Sequence, residues 1–365
     1  MKAIAQLVRD EQLLEIEQET LDNIKGHAPP VLGGADAGIY RRSLYRAGGV
    51  LYCIARTAAD KALYAFGSSA ASTPFGDLEA TGVEGVLARR VEMTAEAVRH
   101  LWKLFPFTKP VSLREERTTI GMGDRLGVAS AGHIRAARKY RCYPVLAQQS
   151  LRELDYTGRS FADVVADASF AVFQEGYEDG FGADADHMKT IEAIDTALGE
   201  SMPMITLDLT EVLRPEVADW SEGDLTAGFG ALDAGLRARL ETDYVDVGYQ
   251  AGDTTLTLDR VELARCALLY GDALDFAEKV NNHLKAKTGD AYDLEISIDE
   301  TTTPTLPEHH LFIARELQVR GVTVNSLAPR FIGDFQKAID YIGDVDEFDT
   351  QFTVHCAIAD EFGGY

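Results

Sequence analysis

The feature that most constrains the fold is an alternation that begins near residue 115 and continues to residue 330. Short apolar runs, each ending in polar or charged residues, alternate with stretches of helical periodicity. The runs cover 119–125, 143–149, 181–187, 204–210, 292–300 and 322–330. Strands that alternate with helices form right-handed βαβ units on a parallel sheet. Six such units, with their polar residues at the carboxyl ends of the strands, predict a (β/α)8 TIM-type barrel with its active site on that face. A doubly wound open sheet is the alternative architecture. It would usually carry a Gly-rich phosphate loop after an early strand, and the chain has no good G-x-G-x-x-G or P-loop match.

Residues 1–112 follow a different pattern and are expected to form a small N-terminal α+β region, with the barrel over 113–365. The first twenty residues read as a charged amphipathic helix rather than a signal peptide with an apolar centre. Val50–Ala55 and Ala62–Gly67 predict a strand pair, and 85–104 predicts the clearest helix, ended by Phe105-Pro106 and Lys109-Pro110. After the sixth strand, 331–362 predicts only loop and helix. A closed barrel needs two further strands, so the chain is expected to be incomplete at its C-terminus.

Charge narrows the choice of partners. The 365 residues include 59 acidic and 35 basic side chains, and only eleven of the latter are lysine, for a formal net charge of -24. Such a surface repels nucleic acid and anionic membranes, so neither is an expected partner. The acids are spread along the whole chain, which predicts adaptation to high salt, where screening weakens self-repulsion. No segment approaches the roughly 20 apolar residues of a membrane span. Cys53, Cys142, Cys266 and Cys356 are far apart with no C-x-x-C spacing. That pattern suits a reducing cytoplasm and argues against both a disulfide framework and a thiolate zinc site.

The chemistry concentrates at strand ends. Gly182-Ala183-Asp184-Ala185-Asp186-His187 ends one strand. Alternation sends Asp184 and Asp186 to one face and His187 to the other, unless the backbone turns there. A carboxylate beside an imidazole supplies a base and a metal ligand together; the competing reading makes Asp184 a helix cap and His187 rim packing. Asp299-Glu300-Thr301 ends another strand, and His309-His310 open the following helix. Glu300 suits acid/base work or a charge pair, and His310, ahead of Leu311-Phe312-Ile313-Ala314, is the histidine better placed to face inward. His355 lies inside an apparent helix and reads as a packing residue. Arg125, Gln149, Arg152, Arg330 and Lys337 are the candidates for holding an anionic substrate. Arginine's fork fits a carboxylate bidentately, although each cation could equally form a structural ion pair.

Taken in order, GMGDRLGVASAGHIRA, PVLAQQSLREL, FQEGYEDGFGADADHMKT, SIDETTTPT and HLFIARELQVRGVTVNSLAPRFIGDFQKAIDYIGD resemble the tagaturonate/fructuronate epimerase family. The match runs from about residue 118 to the end. The resemblance implies interconversion of two keto-uronates, on a barrel, with a divalent metal ion (Zn, Mn, Ni or Co). It implies Asp186 as proton acceptor, His187 as a metal ligand, Glu300 as acid/base partner and His310 as a second ligand. Members of the family continue into a strand ending His-Ser-Gly-Ser-Asp-Lys, whereas this chain stops at Tyr365.

The implied reaction constrains its own mechanism. The inverted C4 is β to the C2 ketone, so its C–H bond is not acidified. A retro-aldol route, with loss of the C4 hydroxyl proton and cleavage of C3–C4, avoids a carbanion that nothing stabilises. The alternatives are a metal-dependent aldolase or ketose isomerase on the same scaffold, or an inactive sugar-acid-binding homologue.

Overall fold

The computed structural model describes the chain except residues 28, 300–302, 337–338 and 364–365. Its described residues fall into two units, Met1–Ala185 with Thr196–Pro203, and Asp186–Asp195 with Met204–Tyr365.

The first unit opens with α1 (Lys2–Asp10) and α2 (Gln18–Lys25), so the expected single N-terminal helix is broken by a turn around Gln12, whose φ is +52°. Then come β1 (Val31–Gly33), β2 (Ala37–Tyr40), β3 (Tyr45–Ala47), β4 (Val50–Thr57), β5 (Lys61–Gly67), β6 (Glu79–Ala80) and β7 (Leu87–Val91). They form one seven-stranded antiparallel sheet in the order β1-β2-β4-β5-β7-β6, with β3 also on β4. The expected strand pair is thus the centre of a larger sheet.

Its continuous apolar sequence follows from burial on both faces. Leu51, Cys53 and Ala55 pack in a core with α1 and α2, while Val50, Tyr52 and Ile54 face a second core with Val98, Leu101, Phe170 and Phe173. The helix expected over 85–104 is corrected at its start. Residues 87–91 pair with β5, Leu63 opposite Val91, and only α3 (Ala95–Leu104) is helical, capped by Thr94. The unpaired edge of β5 outweighs local helix preference.

After α3 the parallel strands begin: β8 (Thr119–Gly121), β9 (Tyr143–Gln149) and β10 (Gly182–Met188), in that order, with α4 (Ser130–Ala137), α5 (Leu151–Thr157) and α6 (Phe161–Glu175) between them. β10 runs across the division between the units and α7 (Ile191–Gly199) follows it. In the second unit β11 (Met204–Asp208), β14 (Asp293–Ser297) and β15 (Ser326–Ala328) are parallel neighbours in that order. Between β11 and β14 lie α8 (Glu222–Gly230), α9 (Ala234–Tyr244), the hairpin β12 (Tyr249–Ala251) and β13 (Thr254–Leu256), and α10 (Arg260–Thr288). α11 (Pro307–Val319) follows β14, and α12 (Val345–Ile358) follows β15.

Every one of the six expected runs therefore holds a strand, and the fold is mixed α/β with parallel strands. The last strand is shorter than the expected 322–330: only Ser326–Ala328 pairs with β14, and Val322 and Val324 are buried ahead of it. The hairpin was not anticipated. Among the described residues no helix is long and apolar enough to cross a membrane.

One loop of the first unit is held by a single carboxylate. Asp124 Oδ1 accepts from the backbone N–H of Leu126, Gly127 and Val128 at 3.2, 2.9 and 3.2 Å. Its Oδ2 accepts from the N–H of Ala129 and Ser130 and from the Ser130 hydroxyl at 2.6, 2.7 and 3.0 Å. Burial alone would raise the Asp124 pKa, but these donors overcome it and hold the group below its ordinary value. A depressed folded pKa stabilises the chain above the unfolded value, and that contribution is lost as pH falls through the folded one. Asp124→Ala is expected to cost about 2–3 kcal/mol at neutral pH. In urea melts the gap between variant and parent should close as the solution is acidified.

Candidate active-site residues

In the first unit, Gln148 and Gln149 end β9, and the register sets Gln148 beside Asp184 and Gln149 beside Ala185. Gln148 Nε2 donates to Asp184 Oδ2 at 3.3 Å. Gln149 is fully buried, and neither its amide nitrogen nor its amide oxygen has a hydrogen-bond partner among the described residues. A buried amide without partners is costly, and such groups mark places where a ligand or water completes the bonding. Gly182 allows β10 to approach β9: a Cβ there would stand 3.0 Å from Val145 Cγ2 and 3.2 Å from Leu113 Cδ1. Arg125 lies 2.9 Å from Glu153, which also completes a capping box with Ser150 at the start of α5. Arg152, in the same first turn, is exposed.

In the second unit, Asp186 and His187 end β10 as a bonded pair. His187 adopts φ +57°, so the backbone does turn at this point. Left-handed backbone is uncommon for a residue other than glycine, and it clusters where function fixes a side chain. The turn brings consecutive side chains together, and His187 Nδ1–H donates to Asp186 Oδ1 at 2.7 Å. Asp186 is buried and His187 half-buried. A carboxylate on one ring nitrogen fixes tautomer and orientation, as the outer partner of a metal-ligating imidazole does.

Two further acidic residues of this unit, Glu295 and Asp208, were not among the expected site residues. Glu295 lies within β14, beside Thr206 of β11 and Ser326 of β15, and accepts from the Ser326 hydroxyl. Burial raises its pKa; the Ser326 hydrogen bond opposes this, the charges of Asp186 and Asp299 add to it, and His187 opposes it. Asp208 ends β11, buried, with Lys189 Nζ at 3.4 Å and the Thr210 N–H at 2.8 Å from its carboxylate. Burial works against its charge, yet Thr210 and Lys189 hold its pKa below the ordinary value. Lys189 also reaches Glu211 at 3.2 Å. A charged residue inside an apolar run was the available sign for Glu295, and a strand-end position was the sign for Asp208.

His310 and His355 meet at 2.8 Å through their Nδ1 atoms, with rings stacked 5.1 Å apart. Burial and the neighbouring His355 push His310 down to about 3. Burial pushes His355 down to about 4, against a hydrogen bond that its ring donates to the Thr305 backbone. Both rings are therefore neutral near pH 7, one donating and one accepting. Neutral imidazole is the form a metal ligand needs. Arg330 is half-buried, its backbone bonded to Thr305 at 2.8 and 3.1 Å. Glu300 and Lys337 lie outside the described residues.

The model of the family described as tagaturonate epimerase matches residues 40–365. A tagaturonate/fructuronate epimerase of Thermotoga maritima is 40% identical over 283 residues, which are 77% of this chain and 58% of that protein. The chain thus spans 58% of the length of this curated relative. Crystal structures of fructuronate-tagaturonate epimerase from Cohnella laeviribosi are also similar. The native form superposes with TM-score 0.83 at 38% identity, covering 95% of this chain and 69% of that one. A form complexed with one glycerol gives TM-score 0.83 and 38% identity, over 95% of this chain and 68% of the other.

Proposed function

The chain belongs to the tagaturonate epimerase family, and from that premise we propose that it interconverts D-tagaturonate and D-fructuronate by inverting C4, on strands that belong to a (β/α)8 scaffold. The observation that carries the reading is the Asp186–His187 pair, bonded at 2.7 Å on a left-handed strand end. It supplies an anionic acceptor and an oriented imidazole from adjacent residues.

The Asp186 carboxylate accepts the proton of the C4 hydroxyl. The C4–O electrons form the aldehyde carbonyl as C3–C4 breaks, and that pair passes to the C2–C3 enediolate. The aldehyde fragment turns about C4–C5, and C3 adds to its other face. A carboxyl group then returns a proton to the C4 oxygen, the role assigned to Glu300. Asp186 acts as general base and Glu300, entering protonated, as general acid at a single oxygen; Asp186 ends the turnover protonated and Glu300 ionised, and proton exchange with solvent resets the pair.

The donors present fit a divalent ion: an imidazole held by a carboxylate at His187, and a neutral imidazole at His310. These two residues are the proposed ligands. Zn, Mn, Ni or Co bound there would supply positive charge to stabilise the oxyanions that develop during bond cleavage. Gln149, Arg125, Arg152, Arg330 and Lys337 are the proposed partners of the substrate's own oxygens. Gln149 has the firmest support, since its buried amide lacks any other partner among the described residues.

Turnover in deuterated water tests the route. The C4 hydrogen stays on its carbon throughout a retro-aldol sequence, so the product should carry protium at C4. Substantial deuterium at C4 would exclude it in favour of direct proton abstraction.

A further inference from the structure

We propose that Glu262, Cys266 and His309 form a second metal site, suited to a borderline-soft divalent ion such as zinc. The proposal uses none of Asp186, His187 or His310 as ligands and does not rest on the epimerase reading.

Glu262 and Cys266 stand four residues apart on α10, so they share one helix face. His309 comes from the first turn of α11. One ligand atom from each residue lies within 4.8 Å of the other two, the one such trio of this kind among the described residues. A tetrahedral ion with bonds of about 2.0–2.3 Å holds its ligand atoms about 3.5 Å apart, so only small side-chain shifts are required. Sulfur, nitrogen and oxygen together select zinc or cobalt over magnesium or calcium, which prefer all-oxygen shells.

The surroundings resemble a metal site's outer shell. Tyr270 Oη lies 2.9 Å from His309 Nδ1 and fixes the ring from behind. Arg265 Nε holds Glu262 Oε2 at 3.3 Å, while Glu262 Oε1 faces His309 Nε2 at 2.6 Å. Arg265 is itself anchored on the carbonyls of Val217 and Ala218 at 3.2 and 2.7 Å. Cys266 is fully buried and His309 nearly so, which keeps competing water away.

Without an ion, the hydrogen bond between His309 and Glu262 occupies the central position, and burial keeps the Cys266 thiol protonated, its pKa well above the usual range. Binding would replace that shared proton. The imidazole proton moves to Nδ1, where Tyr270 accepts it, and one proton leaves from the Cys266 sulfur as the thiolate coordinates.

Cobalt(II) is the probe, because thiolate ligation gives it a near-ultraviolet charge-transfer absorption that oxygen and nitrogen ligands lack. Titrating the full chain with cobalt should produce that band, and zinc should abolish it. The band should persist in His187→Ala and vanish in Cys266→Ser. His309→Gln should weaken the cobalt Kd by about tenfold or more. No band at saturating cobalt, or a band that survives Cys266→Ser, would overturn the site. If Cys266→Ser does not fold, as judged by circular dichroism, the His309→Gln titration decides, and an unchanged Kd there overturns it.

Discussion

Asp186→Asn should lower kcat for the proposed keto-uronate interconversion by about 10³-fold while leaving the fold intact. The amide has nearly the shape of the carboxylate, and its oxygen can still accept from His187 Nδ1, so the imidazole keeps its orientation. What disappears is the anionic acceptor proposed for the C4 hydroxyl proton. The loss should therefore fall on kcat, with KM changed far less, since the substitution removes an interaction made chiefly in the transition state. Steady-state kinetics with metal content measured in parallel will test this. A variant within tenfold of the parent would remove Asp186 from the mechanism, whereas a parallel loss of metal would assign it an orienting role through His187.

The largest expected effect on stability lies at Glu316, on the buried side of α11. Its side chain is 1% exposed and takes a two-pronged pair from Arg239, each contact 2.8 Å. Arg320 adds a contact at 2.6 Å and the Tyr244 hydroxyl another at 2.9 Å. Burial alone would raise the Glu316 pKa, but the two arginines and the tyrosine hold it below the ordinary value. Removing the buried member on which both arginines and the tyrosine converge leaves Arg239 only Asp243 at 3.3 Å among the described residues. Arg320 then keeps only the exposed Asp275 at 3.1 Å and Glu278 at 3.9 Å among them, which is why truncation costs more than the intact pair contributes. Glu316→Ala is expected to destabilise the chain by about 3–5 kcal/mol, read as a fall in the urea midpoint. Because α11 also carries His309 and His310, the same variant should weaken cobalt binding at concentrations of urea that leave the parent folded. A midpoint within experimental error of the parent's would refute this account of how α11 is held.

Much of the backbone plan was legible in the chain because its signals are local. Apolar runs with polar carboxyl ends located all six parallel strands, and the two central strands of the N-terminal sheet could be read from their unbroken hydrophobicity. Residues 87–91 could not be assigned in this way: Leu-Ala-Arg-Arg-Val suits a helix as well as a strand, and only the open edge of β5 makes it a strand. The same limit applied to Glu295. A single acid in an apolar run signals something unusual, but its raised pKa comes from burial among neighbouring strands and from the charges of Asp186 and Asp299, with Ser326 and His187 opposing.

At the strand end that carries Asp186 and His187, the sequence alone determined the residue types and their adjacency, and hence the chemistry they could offer. It also set the acidity of the surface, since charge depends only on composition. Tertiary structure decided the conformation. Simple alternation would have sent the two side chains to opposite faces, and the left-handed turn at His187 brings them within 2.7 Å. It likewise turned His310 toward His355 and His309 toward Glu262 and Tyr270, although the two histidines are neighbours in the chain. Successive residues on a helix diverge by about 100°, so their partners are chosen by whichever elements pack on each side, and no local pattern in the sequence records that choice.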